Sequence, residues 1–90
     1  MTALPTTDLL QEGLALHRRG AVAEAAARYT ALLAAEPRHA DAHYYLGLIA
    51  CQQGRFAEGA EHAHNALASD PAHGSAHVLL GRAHLSLIHI

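Results

Sequence analysis

The chain has little from which to build a bulky core and nothing with which to cross-link one. Aromatic residues make up 4% of it, tryptophan is absent, and much of the 51% hydrophobic content is alanine. Side chains this small suit helices packed at close range rather than a thick centre. Cys51 is the single cysteine, which excludes an internal disulfide and fits a reducing compartment. The six basic residues form no run and the net charge is -2. A general role on nucleic acid or on an anionic membrane is therefore not expected. No stretch is apolar for long enough to span a bilayer. The opening Met1-Thr2-Ala3-Leu4-Pro5 has neither the basic flank nor the apolar run of a signal peptide. The cytoplasm is the expected location. A glycine-rich phosphate loop is missing too. Ser69, Ser75 and Ser86 lie outside nucleophile-elbow contexts, and Cys51 has no fixed basic neighbour in sequence. Neither catalysis nor a cofactor is expected of this segment.

Histidine is the residue in excess. Nine of them stand among 90 residues, and protonating all nine would take the formal charge from -2 to +7. Acid is thus expected to destabilise the fold by repulsion. His39 and His43 are four apart, as are His73 and His77, a spacing that can share a metal on one helix face. Pro37 and Pro71 put the first member of each pair at a turn, so no metal site is expected. His62 and His64, two apart, point to different sides of a helix. His43 and His77 are expected as half-buried packing residues.

What organises the chain is an internal repeat, with the fixed interval that separates Gly13 from Gly47. Gly13, Leu14, Gly20, Ala23, Glu24, Ala26, Leu33, Ala34, Pro37 and His39 recur as Gly47, Leu48, Gly54, Ala57, Glu58, Ala60, Leu67, Ala68, Pro71 and His73. The expected division is a tail 1–5, units 6–39 and 40–73, and a truncated unit 74–90. Each unit reads helix, turn, helix. Leu9, Leu10, Leu14 and Leu16 have helical spacing over 7–19, where Arg18, Arg19 and Gly20 form a helix end. Val22, Ala25, Ala26, Tyr29, Leu32 and Leu33 give an apolar side to 22–35, which Pro37 closes. The second unit repeats this with Tyr45, Leu46, Leu48 and Ile49 over 41–53, then Phe56, Ala60, Ala63, Ala66 and Leu67 over 56–69. Ser75 is the expected N-cap of a fifth helix, with Leu79, Leu80 and Ala83 inward. Glycine inside a helix costs roughly 1 kcal/mol relative to alanine. Its recurrence at 13, 47 and 81 therefore points to a closely packed neighbour. Ala25 and Ala66 allow the same approach, and Tyr29 fills the space left.

Taken together, these residues resemble the tetratricopeptide repeat. The resemblance rests on Gly13, Gly20, Ala25, Tyr29 and Pro37 in the first unit, and on Leu46, Gly47, Gly54, Ala66 and Pro71 in the second. Glu12, Leu32, Gly59 and Ala63 depart from the pattern, and the third unit offers only Leu80 and Gly81. The implied fold is an all-α solenoid of antiparallel helical hairpins, a right-handed stack of about two and a half units in five helices. The implied function is a non-catalytic scaffold that binds a protein or peptide in a concave groove. Groove positions of the family fall here on Thr7, Leu10, Leu14, His17 and Arg18, then on Asp41, Tyr44, Leu48, Cys51 and Gln52, then on Ser75, Val78 and Arg82. Tyr44 is the most anchor-like of them. Chaperone-tail binders of the family grip a carboxylate with Lys and Asn, where this chain has Leu10, Leu14, Tyr44 and Leu48. An asparagine ladder would need Asn where Gln11, Tyr45 and Leu79 stand. Neither of those functions is expected.

The segment Leu85-Ser86-Leu87-Ile88-His89-Ile90 agrees with neither earlier unit and resembles a translated transposase mosaic-end sequencing adapter. That would make the chain the N-terminal fragment of a longer bacterial protein, marginally stable and inclined to self-associate through exposed repeat ends. Bacterial proteins of this kind often carry a methyl-, sulfo- or glycosyltransferase domain after the repeats. The alternative expectation is thus a regulatory or recruiting array of such an enzyme.

Overall fold

A computed structural model describes residues 6–88 of the chain. They form five helices: α1 (Thr6–Arg18), α2 (Val22–Ala35), α3 (Ala40–Gln52), α4 (Phe56–Ser69) and α5 (Gly74–Leu87). The fold is all-α, and the body measures 52 × 27 × 17 Å. Successive helices pack on one another, and α3 also touches α5.

Local chemistry sets the turns, and each recurs one repeat later. Gly20 and Gly54 take φ of +81° and +80°, the left-handed region where a β-carbon is strained. Behind them the amides of Ala21 and Arg55 reach back to the carbonyls of Leu16 and Ala50 at 2.9 and 2.8 Å. Ahead of the prolines, the amides of Glu36 and Asp70 reach the carbonyls of Leu32 and Ala66, both at 2.8 Å. The next helices, α3 and α5, each start with a histidine cap. His39 Nδ1 accepts the Ala42 amide at 3.2 Å, and His73 Nδ1 accepts that of Ala76 at 3.1 Å. Ser75 is therefore not the N-cap of α5; it lies exposed inside the first turn, one residue after Gly74. Serine is the commoner cap, but an imidazole lone pair meets the same orphan amide.

The core is narrower than the leucine pattern implies. Tyr29 and Leu32 are its largest fully buried side chains, and eight alanines are buried with them: Ala25, Ala42, Ala50, Ala60, Ala63, Ala66, Ala76 and Ala83. Leu14, Tyr45, Leu46, Leu48 and Leu80 are only half-buried. Helices held at alanine distance leave room for long side chains only at the margins of the contact.

The two hairpins achieve close approach differently. In the first, a β-carbon on Gly13 would lie 2.6 Å from Cε1 of Tyr29, so the glycine makes room for the ring. The second hairpin has no aromatic there. Gly47 and Gly59 instead face each other, and a β-carbon on either would come within 3.1–3.2 Å of the other's carbonyl oxygen. At Gly81 a β-carbon would meet nothing within 4 Å. The recurring glycine thus marks tight packing at 13 and 47 but not at 81, because among the described residues no helix covers that side of α5. Glu12, out of pattern for an apolar position, accepts a 2.9 Å hydrogen bond from Arg28 Nε across α1 and α2.

Helix α5 continues through Leu85, Ser86 and Leu87 without a break. It exposes Val78, Leu85 and Leu87, with Ile88 beyond its end. His89 and Ile90, the rest of the adapter-like segment, lie outside the described residues, as does the tail 1–5.

Candidate functional site

The first helices of the hairpins, α1 and α3, share a face with α5, and three shallow depressions open on it. One lies between α1 and α3, lined by Leu14, His17, Arg18 and Tyr45. The other two lie between α3 and α5. Tyr44, Leu48, Gly74, Ser75, Val78, Leu79 and Arg82 line the first of these. Leu48, Cys51, Gln52, Phe56, Leu79, Arg82 and Ser86 line the second. Leu48, Leu79 and Arg82 border both, so the α3–α5 crevice is continuous.

Most of the expected groove residues therefore stand at these depressions: Leu14, His17, Arg18, Tyr44, Leu48, Cys51, Gln52, Ser75, Val78 and Arg82. His17 and Gln52 also meet directly, Nε2 to Oε1 at 3.3 Å, joining α1 to α3. Leu10 borders none of the three and packs partly buried against the cluster around Leu16, Ala25, Tyr29 and Ile49. Thr7 is exposed and Asp41 lines no depression. Asp41 instead accepts a 2.8 Å hydrogen bond from His73 Nε2, tying the start of α3 to the cap of α5. One ring therefore holds the α5 amide with one nitrogen and α3 with the other.

Five contributors, Tyr45, Phe56, Gly74, Leu79 and Ser86, are not legible as groove residues in the sequence. Tyr45, which reads as core, stacks on buried Tyr29 at 5.3 Å while its other side lines the α1–α3 depression. Tyr44 packs edge-on to Tyr45 at 5.0 Å and lies 5.2 Å from the His73 ring. Phe56 and Leu79 enter from α4 and α5. The adjacent Tyr44-Tyr45 pair is the available signal, since neighbours on a helix point about 100° apart and cannot both face inward.

Burial is the first cause of each shift among the titratable groups. Burial pushes the Cys51 thiol up, with Arg82 only partly opposing it, so the thiol form dominates at neutral pH. Tyr29 is pushed up to about 12, first by burial and then by Tyr45, and its hydroxyl is buried without a partner. Burial, then His43, holds His62 below the usual imidazole value. Among the described residues no three His, Cys, Asp or Glu side chains gather around a common point. The histidine pairs four apart do not converge: His39 caps α3, while His43 and His77 donate from Nε2 to the carbonyls of Pro37 and Pro71 at 2.9 and 2.8 Å. His43 is half-buried as expected, whereas His77 is exposed.

A tetratricopeptide repeat family profile matches residues 10–63 and again residues 50–87. The chain belongs to that family. A search of curated proteins returned no match. Tetratricopeptide repeats are generally protein-interaction modules. The glycine turns, the proline stops and the small residues between the paired helices all fall in register with that reading. No helix among the described residues is long and apolar enough to cross a membrane.

Proposed function

We propose that this tetratricopeptide repeat chain binds an extended peptide or partner segment along the α1–α3–α5 face, with no chemistry of its own. The observation that carries the reading is the continuous α3–α5 crevice, which Leu48 and Arg82 border along both of its depressions. Its floor is apolar, through Leu48, Leu79 and the Tyr44 ring. Arg82, and Arg18 beside Leu14, supply positive rims. Such a surface suits an apolar anchor flanked by acidic groups. The free thiol of Cys51 fits a reducing cytoplasm. The exposed Val78, Leu85, Leu87 and Ile88 support self-association at high concentration.

A peptide library displayed on phage, selected against the chain, tests this. A selected peptide is expected to bind at least tenfold more weakly to Tyr44→Ala and Leu48→Lys, and unchanged to Glu61→Ala on the exposed side of α4. Peptides indifferent to both groove variants would show that the face is not the binding surface.

A further inference from the structure

His43 on α3 and His62 on α4 bring their Nδ1 atoms to 3.4 Å of each other, with ring centroids 5.7 Å apart. The rings meet nearly in line, the arrangement of a long N–H···N hydrogen bond. Its direction is set from one side. His43 Nε2 donates to the Pro37 carbonyl at 2.9 Å, and a neutral ring that donates from Nε2 carries its lone pair on Nδ1. His62 Nδ1 is therefore the donor. One added proton fits, because whichever ring takes it can still point an N–H at a lone pair of the other. A second does not. Two N–H groups and two positive charges would then face each other across a half-buried contact. His62 has little room to swing clear, since α3 and α4 are closest here: a β-carbon on Gly47 would lie 3.0 Å from the His62 Cβ and 3.1 Å from the Gly59 carbonyl oxygen.

The groups that act on the charge of His62 are His43 from α3 and, from α4 and its N-cap, Glu58, Glu61 and Arg55. Arg55 is itself bound to Glu58 at 2.6 Å. No group of α1, α2 or α5 acts on it among the described residues; from α5 the contact receives the apolar Leu79. Among the described residues the ring of His43 bonds to the Pro37 carbonyl and to His62 alone. Burial, then His43, outweigh the two carboxylates and hold His62 below the usual 6.5. Its contribution to stability is thus complete above about pH 6.5 and is lost as pH falls below that.

We propose that the His43–His62 pair is an acid-sensitive latch between α3 and α4, closed while one N–H faces one lone pair and sprung when both rings are charged. Tyr44 follows His43 on α3, and Leu48 stands one turn beyond Tyr44. On the binding reading above, an open latch therefore also loosens the hold of the groove on a peptide. Two other places show what the latch requires. His64 and His84 have centroids 5.9 Å apart, but both are exposed and their rings share no hydrogen bond, so water screens them. His77 occupies the position of His43 in the following unit and makes the same bond to a prolyl carbonyl, but no second imidazole bonds to it among the described residues.

Urea midpoints at pH 7.5 and 5.0, followed by circular dichroism, test the latch without any ligand. On acidification the unaltered chain is expected to lose about 0.5 M more than His43→Gln, His62→Asn or the double variant. The amides of those substitutes keep hydrogen-bonding capacity and take no charge. His77→Gln is expected to lose as much as the unaltered chain. Nitrogen NMR of the unaltered chain at pH 7.5 is expected to find the proton on Nε2 of His43 and on Nδ1 of His62. Equal acid losses in all the variants, or a neutral His43 protonated on Nδ1, overturns the latch. A phage-selected peptide supplies the separate arm. Its affinity is expected to fall at least tenfold more between pH 7.5 and 5.0 for the unaltered chain than for His62→Asn; an equal fall refutes the link to the groove and not the latch.

Discussion

Glycines 13 and 81 stand at the same point of the repeat, yet replacing each by alanine is expected to change stability in opposite directions. At Gly81 the new methyl meets nothing within 4 Å. The only effect is helix propensity, a gain of about 0.8–1 kcal/mol. At Gly13 the same gain is opposed by the ring of Tyr29, whose Cε1 would lie 2.6 Å from the new carbon and whose Cδ1 and Cζ would lie 3.0 Å from it. The ring cannot swing clear, because Tyr29 is fully buried and stacked on Tyr45. Overpacking of that kind costs about 1–3 kcal/mol, so Gly13→Ala should come out destabilised by up to about 2 kcal/mol. In a domain this size each kcal/mol shifts the melting temperature by about 4–8 °C. Gly47→Ala should fall between the two. Its neighbours, His62 Cβ and Leu79 Cδ2 at 3.0 Å and the Gly59 carbonyl at 3.1 Å, need to yield only slightly. Urea midpoints followed by circular dichroism give the ordering. Equal stabilisation at 13 and 81 would refute the packing account of the repeat glycine.

Tyr29→Phe removes a buried hydroxyl that has no partner, so stability should hold or rise by up to about 1 kcal/mol. The same variant should flatten the alkaline side. Tyr29 is pushed up to about 12 in the fold, so the unfolded chain loses that proton first, near pH 10. Its contribution is present below pH 10 and is lost as pH rises through about 12. Urea midpoints at pH 9 and 11 report it; an alkaline slope identical in Tyr29→Phe would show that another group is responsible. His73→Ala deletes the α5 cap together with the bond to Asp41 and should cost about 1 kcal/mol or more. Ser75→Ala should change the urea midpoint little, and the reverse ordering would restore serine as the cap.

Much of the architecture is readable from short-range chemistry. Helices appear at 6–18, 22–35, 40–52, 56–69 and 74–87, close to the ends that Gly20, Gly54, Pro37 and Pro71 announce. A glycine that must take positive φ, or a proline that lacks its N–H, acts on its own backbone and is visible at its own position. Most of the groove candidates line depressions because register alone places them on the first helices. Leu10 does not, because leucine spacing is the same for a residue that faces a groove and one that faces a helix. The cap of α5 departs from expectation for a related reason. Serine, the commoner N-cap, stands two residues from the histidine that accepts the amide.

The repeat period, the five helices, their stops and the family all follow from the order of residues, since each depends on atoms a few bonds or one helical turn apart. Which of three equivalent glycines is crowded, that Asp41 answers His73, and that His43 meets His62 depend on the surfaces of different helices being brought together. Those meetings are set by how closely the backbones pack, a distance that alanine and glycine permit but do not themselves specify.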